Sequence, residues 1–279
     1  MGRKLFCEIN PTCYKISVQK EILKRNLKDF LSGEKIAKSH SDRELPVVVK
    51  GHSSVLVRKL HGVDIELQEN KAINIQLTCN KINGIIIKPD ETFSFWRTVG
   101  KVGEKQGYKD GLVISRKNGD GPGLSSGIGG GLCQMANMIH WLVLNSSMTV
   151  TELHHHSDAL FPDERRKVPF GTGTSIAYKS VDYRFKNETK SDVQILVWIQ
   201  NGELCGEIRS AEQYPYRYKL TEENNHYRKE EDDYYRISQV YRIVIDRETR
   251  QEVAKELILD NHSKVMYDHS LIPKDEIRG

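Results

Sequence analysis

The sequence predicts an α+β fold: mixed helices and antiparallel β-sheet, with a buried central helix headed by Cys133 and a β-rich C-terminal part. Three observations lead there. Apolar residues recur at helical spacing in two N-terminal segments, a run over 132–144 is apolar on nearly every face, and short β-branched runs bounded by Gly, Pro or Asn fill most of the chain beyond it. The chain has 279 residues, 38% of them hydrophobic and 29% charged, with a mean hydropathy of −0.56. That balance belongs to an ordinary water-exposed protein and leaves little apolar surplus for a bilayer. No run approaches the ~18 apolar residues that a membrane-spanning helix needs.

Residues 18–31 place Ile22, Leu23, Leu27, Phe30 and Leu31 at helical spacing, with lysines between them and Gly33 as the stop. This is an amphipathic helix. The plain expectation is that its stripe packs against the core; docking on a membrane surface would use the same pattern. Residues 34–45 are polar and read as a linker, so 1–44 forms an N-terminal helical segment and linker. Val47–Val49 is a short strand. Residues 68–83 carry Ala72, Ile73, Leu77 and Ile82 in helical pattern, closed by Gly84, and Ile85–Ile87 is a buried strand ended by Pro89.

Seven of the 21 glycines fall between Gly119 and Gly131. Such a stretch reads as a loop that needs unusual backbone angles or close backbone approach. It runs into 132–144, whose all-round apolar surface marks a buried helix. Strand-like segments come next at 148–156, 174–186 and 193–199, with a hairpin across Asn201-Gly202 into 203–209. Residues 211–236 are polar and tyrosine-rich. Residues 241–245 and 252–259 then read as a second hairpin, so 211–279 forms a C-terminal extension beyond a central domain over 45–210.

Net charge is +4, from 42 basic and 38 acidic residues of interspersed sign, and no basic stripe is interleaved with aromatics. Nucleic acid is therefore not an expected partner. Acidic surfaces such as cell-wall polymers or lipid headgroups stay open, and so does peripheral membrane contact. The five cysteines at 7, 13, 79, 133 and 205 form no CxxC pair, which fits free thiols in a reducing compartment. The first ten residues are basic without an apolar stretch, so the chain reads as cytoplasmic unless a leader has been removed.

Cys133 is the most chemically suggestive residue. In the first turn of a helix, unpaired N–H groups and the positive end of the macrodipole favour an anion, so its thiolate should form more easily than the reference pKa of ~8.5 implies. The glycines before it would let a substrate backbone approach, and helix-start amides could hold an oxyanion. Against this stands the common role of cysteine as a small buried hydrophobe. A nucleophile also needs a base. His140 lies seven residues on, ~10 Å along the helix axis and too far to touch. In Glu152-Leu-His-His-His-Ser-Asp158 a strand would turn His154 and His156 to one side and Leu153 and His155 to the other. Those two imidazoles could also begin a zinc site, but a structural site needs four ligands, and no metal or other cofactor is expected. Neither Gly-x-x-x-x-Gly-Lys-Ser/Thr nor a strand–helix Gly-x-Gly-x-x-Gly is present for nucleotide binding.

Five segments, Pro89–Trp96, Tyr108–Ile114, Ser126–Asn137, Glu152–Ser157 and Val181–Thr189, occur in the order in which similar motifs occur in the VanW family, which the chain resembles over roughly 45–210. It resembles in particular the short form found in vancomycin-resistance clusters. Longer members, anchored outside the membrane, are cysteine-dependent L,D-transpeptidases of peptidoglycan stem peptides. The resemblance implies Cys133 as nucleophile, His156 as base with His154 beside it, and a peptide-binding groove involving Ser126, Gly129, Gly130, Gly131 and Gln134. Leu153 departs from the family's pattern, where arginine is frequent. A non-enzymatic accessory protein using the same groove is the alternative.

Overall fold

The helix-start dipeptide Asn10-Pro11 opens the first element. The Asn10 side chain accepts a hydrogen bond from Cys13 N at 2.8 Å, Pro11 occupies the first turn, and Gly33 at φ 64° ends helix α1, Pro11–Ser32. A computed structural model of the chain describes residues 5–57, 64–116, 122–155, 158–159, 162, 168–178 and 180–278. After α1 come strands β1 (Ser39–His40) and β2 (Val47–Val55), helix α2 (Ile65–Ile82), strands β3 (Ile85–Ile87) and β4 (Thr92–Ser94), and short helix α3 (Phe95–Val99). Strands β5 (Asp110–Arg116) and β6 (Pro122–Ile128) precede helix α4 (Cys133–Leu144). The remaining strands are β7 (Thr149–Glu152), β8 (Asp158–Ala159), β9 (Arg184–Lys186), β10 (Val193–Gln200), β11 (Glu203–Ser210), β12 (Tyr216–Glu230), β13 (Asp233–Asp246) and β14 (Glu252–Val265). This is the expected α+β class.

The central sheet has the order β1-β3-β10-β11-β2, antiparallel throughout. Helix α4 packs across β11 and β2, where Gly206 leaves room for Met138 and Leu142. Around this contact lies the main core, with Ile75, Ile82, Phe93, Phe95, Met135, Ile139, Tyr183 and Phe185 fully enclosed. A three-stranded sheet β4-β9-β7 and the ribbon β5-β6 flank it. The long strands β12, β13 and β14 form an antiparallel meander, to which β8 adds in parallel. A smaller core of Ala159, Phe170, Tyr227, Val265 and Ile272 sits there.

Several elements differ from the reading of the sequence. Segment 34–45 is not a free linker: β1 pairs with β3, and the buried Gln194 side chain donates to the carbonyls of Ser41 and Arg43 and accepts from Leu45 N. Part of the glycine-rich stretch is a strand, β6, because a two-stranded ribbon tolerates missing side chains, as at the Gly111↔Gly127 pair. Among the described residues of 174–186, only Arg184–Lys186 joins a sheet. The polar 211–236 stretch contains β12, whose largely solvated residues lack the apolar alternation by which a strand is recognised.

The N-terminal helix differs most. Leu23, Leu27, Phe30 and Leu31 are 56–83% exposed, and the helix docks through its opposite, charged face. Arg25 forms a bidentate pair with Glu152; Asp29 accepts two bonds from Arg184 Nη1 and Nη2 at 2.9 Å and one from Arg97 Nη2 at 2.9 Å. Arg184 is the hub: its Nε also donates to Asp182 Oδ2 at 2.9 Å and its Nη1 to Glu34 Oε2 at 2.9 Å. Asp182 in turn accepts from Ser94 Oγ and the backbone N–H groups of Trp96 and Tyr183.

Replacing Arg184 with Met should strand the buried Asp182 and Asp29 carboxylates and destabilise the protein by about 3–5 kcal/mol. Urea denaturation measures this, and an unchanged midpoint would sink the hub assignment. Burial alone would raise the Asp29 and Glu152 carboxyls, but their arginine partners win and hold both below the usual carboxylate range. Their contribution to stability is therefore complete above about pH 5 and is lost as pH falls through the unfolded and then the lowered folded-state values. Asp29→Asn should flatten the stability profile in that acid range.

Candidate active site

Helix α4 begins at Cys133 because the chain ahead of it cannot be helical: Gly129 and Gly131 have φ 76° and 93°. The glycines are also required sterically. A Cβ on Gly130 would lie 2.1 Å from the Gly111 carbonyl carbon, and one on Gly131 would lie 2.0 Å from Lys71 Cγ. The turn is thus wedged between β5 and α2. Buried Asn74 of α2 clamps it, donating from Nδ2 to the carbonyls of Gly130 and Lys109 and accepting from Lys109 N. The close backbone approach expected from the glycines is made by the protein's own chain.

At the head of α4 no side chain caps the helix. The Gln134 side chain is turned to β2, donating to Ser54 Oγ at 3.0 Å and the Val55 carbonyl at 2.9 Å. Four residues after Cys133, on the same helix face, Asn137 Oδ1 accepts from Thr174 N at 2.7 Å. This pins segment 172–176 over the helix start, where the Ile176 carbonyl lies 3.9 Å from Cys133 Sγ. Ser175 N donates to the His154 carbonyl at 2.6 Å. One strap of chain therefore borders both the thiol and the end of β7.

Cys133 keeps partial surface exposure yet is densely surrounded by protein. Burial raises its pKa, more than the Ile176 contact lowers it. This corrects the expectation of an easily formed thiolate: desolvation outweighs the helix start. Burial pushes the Cys79 thiol up as well, to about 12.

His154 is exposed, and its Nε2 lies 3.0 Å from Glu152 Oε1, the oxygen that also accepts from Arg25 and Asp182 N. His155 is exposed, and His156 lies outside the described residues. Ser126 is exposed on β6, Gly129 and Gly131 are half-buried, and Gly130 is buried. Among the described residues no group of three or more His, Cys, Asp or Glu side chains is arranged to hold a metal ion. His140 is buried, with Nδ1 3.1 Å from Tyr183 Oη. Asn74, Asn137, Lys71 and the 172–176 strap escaped the sequence reading; only Asn137 had a signal, the four-residue spacing from Cys133.

These features coincide with the relationships of the chain to known proteins. The family model described as VanW like protein matches residues 70–209, half of the chain, and the chain belongs to the VanW family. It is 29% identical over 231 residues to the vancomycin B-type resistance protein VanW of Enterococcus faecalis, covering 83% of this chain and 82% of that one. It is 27% identical over 127 residues to the uncharacterized protein YoaR of Bacillus subtilis, covering 46% of this chain and 39% of that one. No solved structure matches. Among the described residues no helix is long and apolar enough to cross a membrane.

Burial, and secondarily the charge of His155, lowers the His140 pKa to about 3. A folded-state value below the unfolded ~6.5 means that the unfolded chain takes the proton first, so stability is full above about pH 6.5 and falls as pH drops from there toward 3. His140→Gln should remove much of the stability change between about pH 7 and about pH 4.5, read by urea denaturation at several pH values. A profile unaltered by the substitution would contradict the assignment of a neutral core imidazole.

Proposed function

We propose that the chain is a cysteine-dependent acyl transferase acting on a peptidoglycan stem peptide or its precursor. The observation that carries this reading is the seat of Cys133: first residue of a buried helix with no side-chain cap, behind a glycine turn and beside the strap that joins it to the histidine run. The name of the Enterococcus relative, a vancomycin B-type resistance protein, agrees with a role in cell-wall peptide metabolism.

In this reading an imidazole of the 154–156 run, His156 by family position with His154 beside it, takes the Cys133 proton as the substrate binds. The sulfur attacks the donor carbonyl, and amides of the first turn of α4 hold the oxyanion. The C–N bond breaks as the imidazolium protonates the departing amine, leaving a thioester. An acceptor amine then attacks the thioester and returns the proton to sulfur. The raised thiol pKa fits a nucleophile that is neutral at rest and loses its proton only with its base engaged. In this reading Ser126, exposed on β6, borders the peptide groove, while the turn Gly129, Gly130 and Gly131 and the Gln134 side chain shape it from within.

A binding protein without chemistry is the second reading, favoured by the same upward shift and by the engagement of Gln134 and Gly130 in internal packing. The two separate on incubation with synthetic stem peptides. The acyl transferase should give a covalent adduct at Cys133 by mass spectrometry, absent in Cys133→Ser and slowed at least about tenfold in His156→Ala. Iodoacetamide should label Cys133 slowly near neutral pH, with a rate that climbs through a pKa above the reference value. If no adduct or turnover forms while Cys133→Ser binds the peptides as the wild type does, the enzymatic reading falls and the binding reading replaces it.

A further inference from the structure

Helix α1 presents an apolar stripe that nothing among the described residues covers. Ile16, Leu23, Leu27, Phe30 and Leu31 are 53–83% exposed. At 100° per residue they share one side of the helix, whereas Arg25 and Asp29, which hold it to the body, lie on the other. From Ile16 to Leu31 the stripe runs about 22 Å at 1.5 Å per residue. Leu5, Phe6 and Ile9, just ahead of the helix, are 53–63% exposed as well.

The charges beside the stripe are of one sign. Lys20 emerges within it and Lys24 and Lys28 along one flank, and Lys24, Leu27, Lys28, Leu31 and Ser32 line an open hollow there. The helix's two carboxylates are elsewhere: Glu21 lies beyond the flank, paired with Lys24, and Asp29 is on the docked face. We propose that α1 is a membrane-surface anchor, lying in the headgroup layer of an anionic bilayer with its leucines and Phe30 in the acyl boundary and its lysines against lipid phosphates. An anionic lipid surface supplies both chemistries in the order required, phosphate above acyl chain, along the whole length of a straight helix. A protein groove would have to alternate carboxylates and apolar pockets in register with Lys20, Lys24 and Lys28.

The anchor would hold the candidate active site near the lipid, because the Arg25 partner Glu152 also carries His154. The proposal stands on the helix alone and does not depend on chemistry at Cys133.

Vesicle flotation tests it with the full chain. Wild-type protein should float with phosphatidylglycerol-containing vesicles at least about tenfold more than with pure phosphatidylcholine vesicles, and salt should weaken the binding. Leu27→Glu with Phe30→Glu should abolish flotation while leaving the melting temperature unchanged, since both side chains face solvent. Lys20→Gln, Lys24→Gln and Lys28→Gln together should erase the preference for anionic lipid. Phe30→Trp should add emission that shifts to the blue on addition of anionic vesicles. Equal partitioning into neutral and anionic vesicles overturns the proposal, as does flotation that survives the double glutamate substitution. So does light scattering that finds a lipid-free dimer which the same substitution splits, because a second copy would then be the occupant.

Discussion

The guanidinium of Arg184 is the interaction on which the arrangement of the surrounding elements depends. Its side chain is 6% exposed, and burying an unpaired cation would cost several kcal/mol. The protein answers with carboxylates from four places in the sequence: Asp29 and Glu34 from the N-terminal segment, Glu152 from β7 and Asp182 from the chain just before β9. Burial pulls its pKa down and these partners hold it above the ordinary arginine value. Asp182 then uses its remaining valence on Ser94 and the start of α3. One buried charge thereby fixes α1, α3, β7 and β9 relative to one another. It also decides which way α1 faces. Residues 25 and 29 are one turn apart and share a face, so once they are drawn to Glu152 and Arg184 the leucine stripe has no direction left but outward.

At Cys133 two effects oppose each other, and their sizes decide the outcome. Helix-terminus electrostatics contribute typically 0.3–1 kcal/mol, less than about one pKa unit. Desolvation of a buried group can move a pKa by several units. The thiol is densely surrounded by protein beside the 172–176 strap, so burial prevails. A nucleophile here has to be activated by proton transfer rather than by a standing negative charge. That places the chemical demand on the histidine run and on whatever fixes its imidazoles. Among the described residues the side-chain contact that does so is Glu152 to His154, beside the Ser175 bond to the His154 carbonyl, and Glu152 is itself held by Arg25.

Much of this was legible in the amino-acid sequence, and the part that was not has a common cause. The buried helix over 132–144, the strand at 85–87 and the hairpin across Asn201-Gly202 all announce themselves through local apolar pattern and turn chemistry. Strand β12 hides because its polar residues, half-buried or exposed at every position but Tyr227, show no apolar alternation to detect. The glycines of 129–131 signalled close approach correctly in kind, but their neighbours, Gly111 and Lys71, are remote in sequence, and no local pattern could distinguish them from a ligand. The orientation of α1 was hidden for the same reason. A stripe of leucines argues for burial only when nothing stronger competes for the opposite face, and the competitor here is an arginine 155 residues from its Asp29 partner.

The manner in which α1 is attached bears on what it can do. Its contacts with the body include charged hydrogen bonds made by Arg25, Asn26 and Asp29, on the side of the helix where Val18 and Ile22 are half-buried. Ion pairs this well shielded, at 6–20% side-chain exposure for Arg25, Asp29 and Arg184, are screened less by salt than surface pairs are. A helix that docked through its leucines would have spent its apolar face on the fold. One that docks through its other face keeps that stripe available. The same Arg25 contact that orients the helix neutralises Glu152 beside His154 at the end of β7. The attachment of the helix and the electrostatics of the histidine run are therefore a single arrangement, joined through the two oxygens of Glu152.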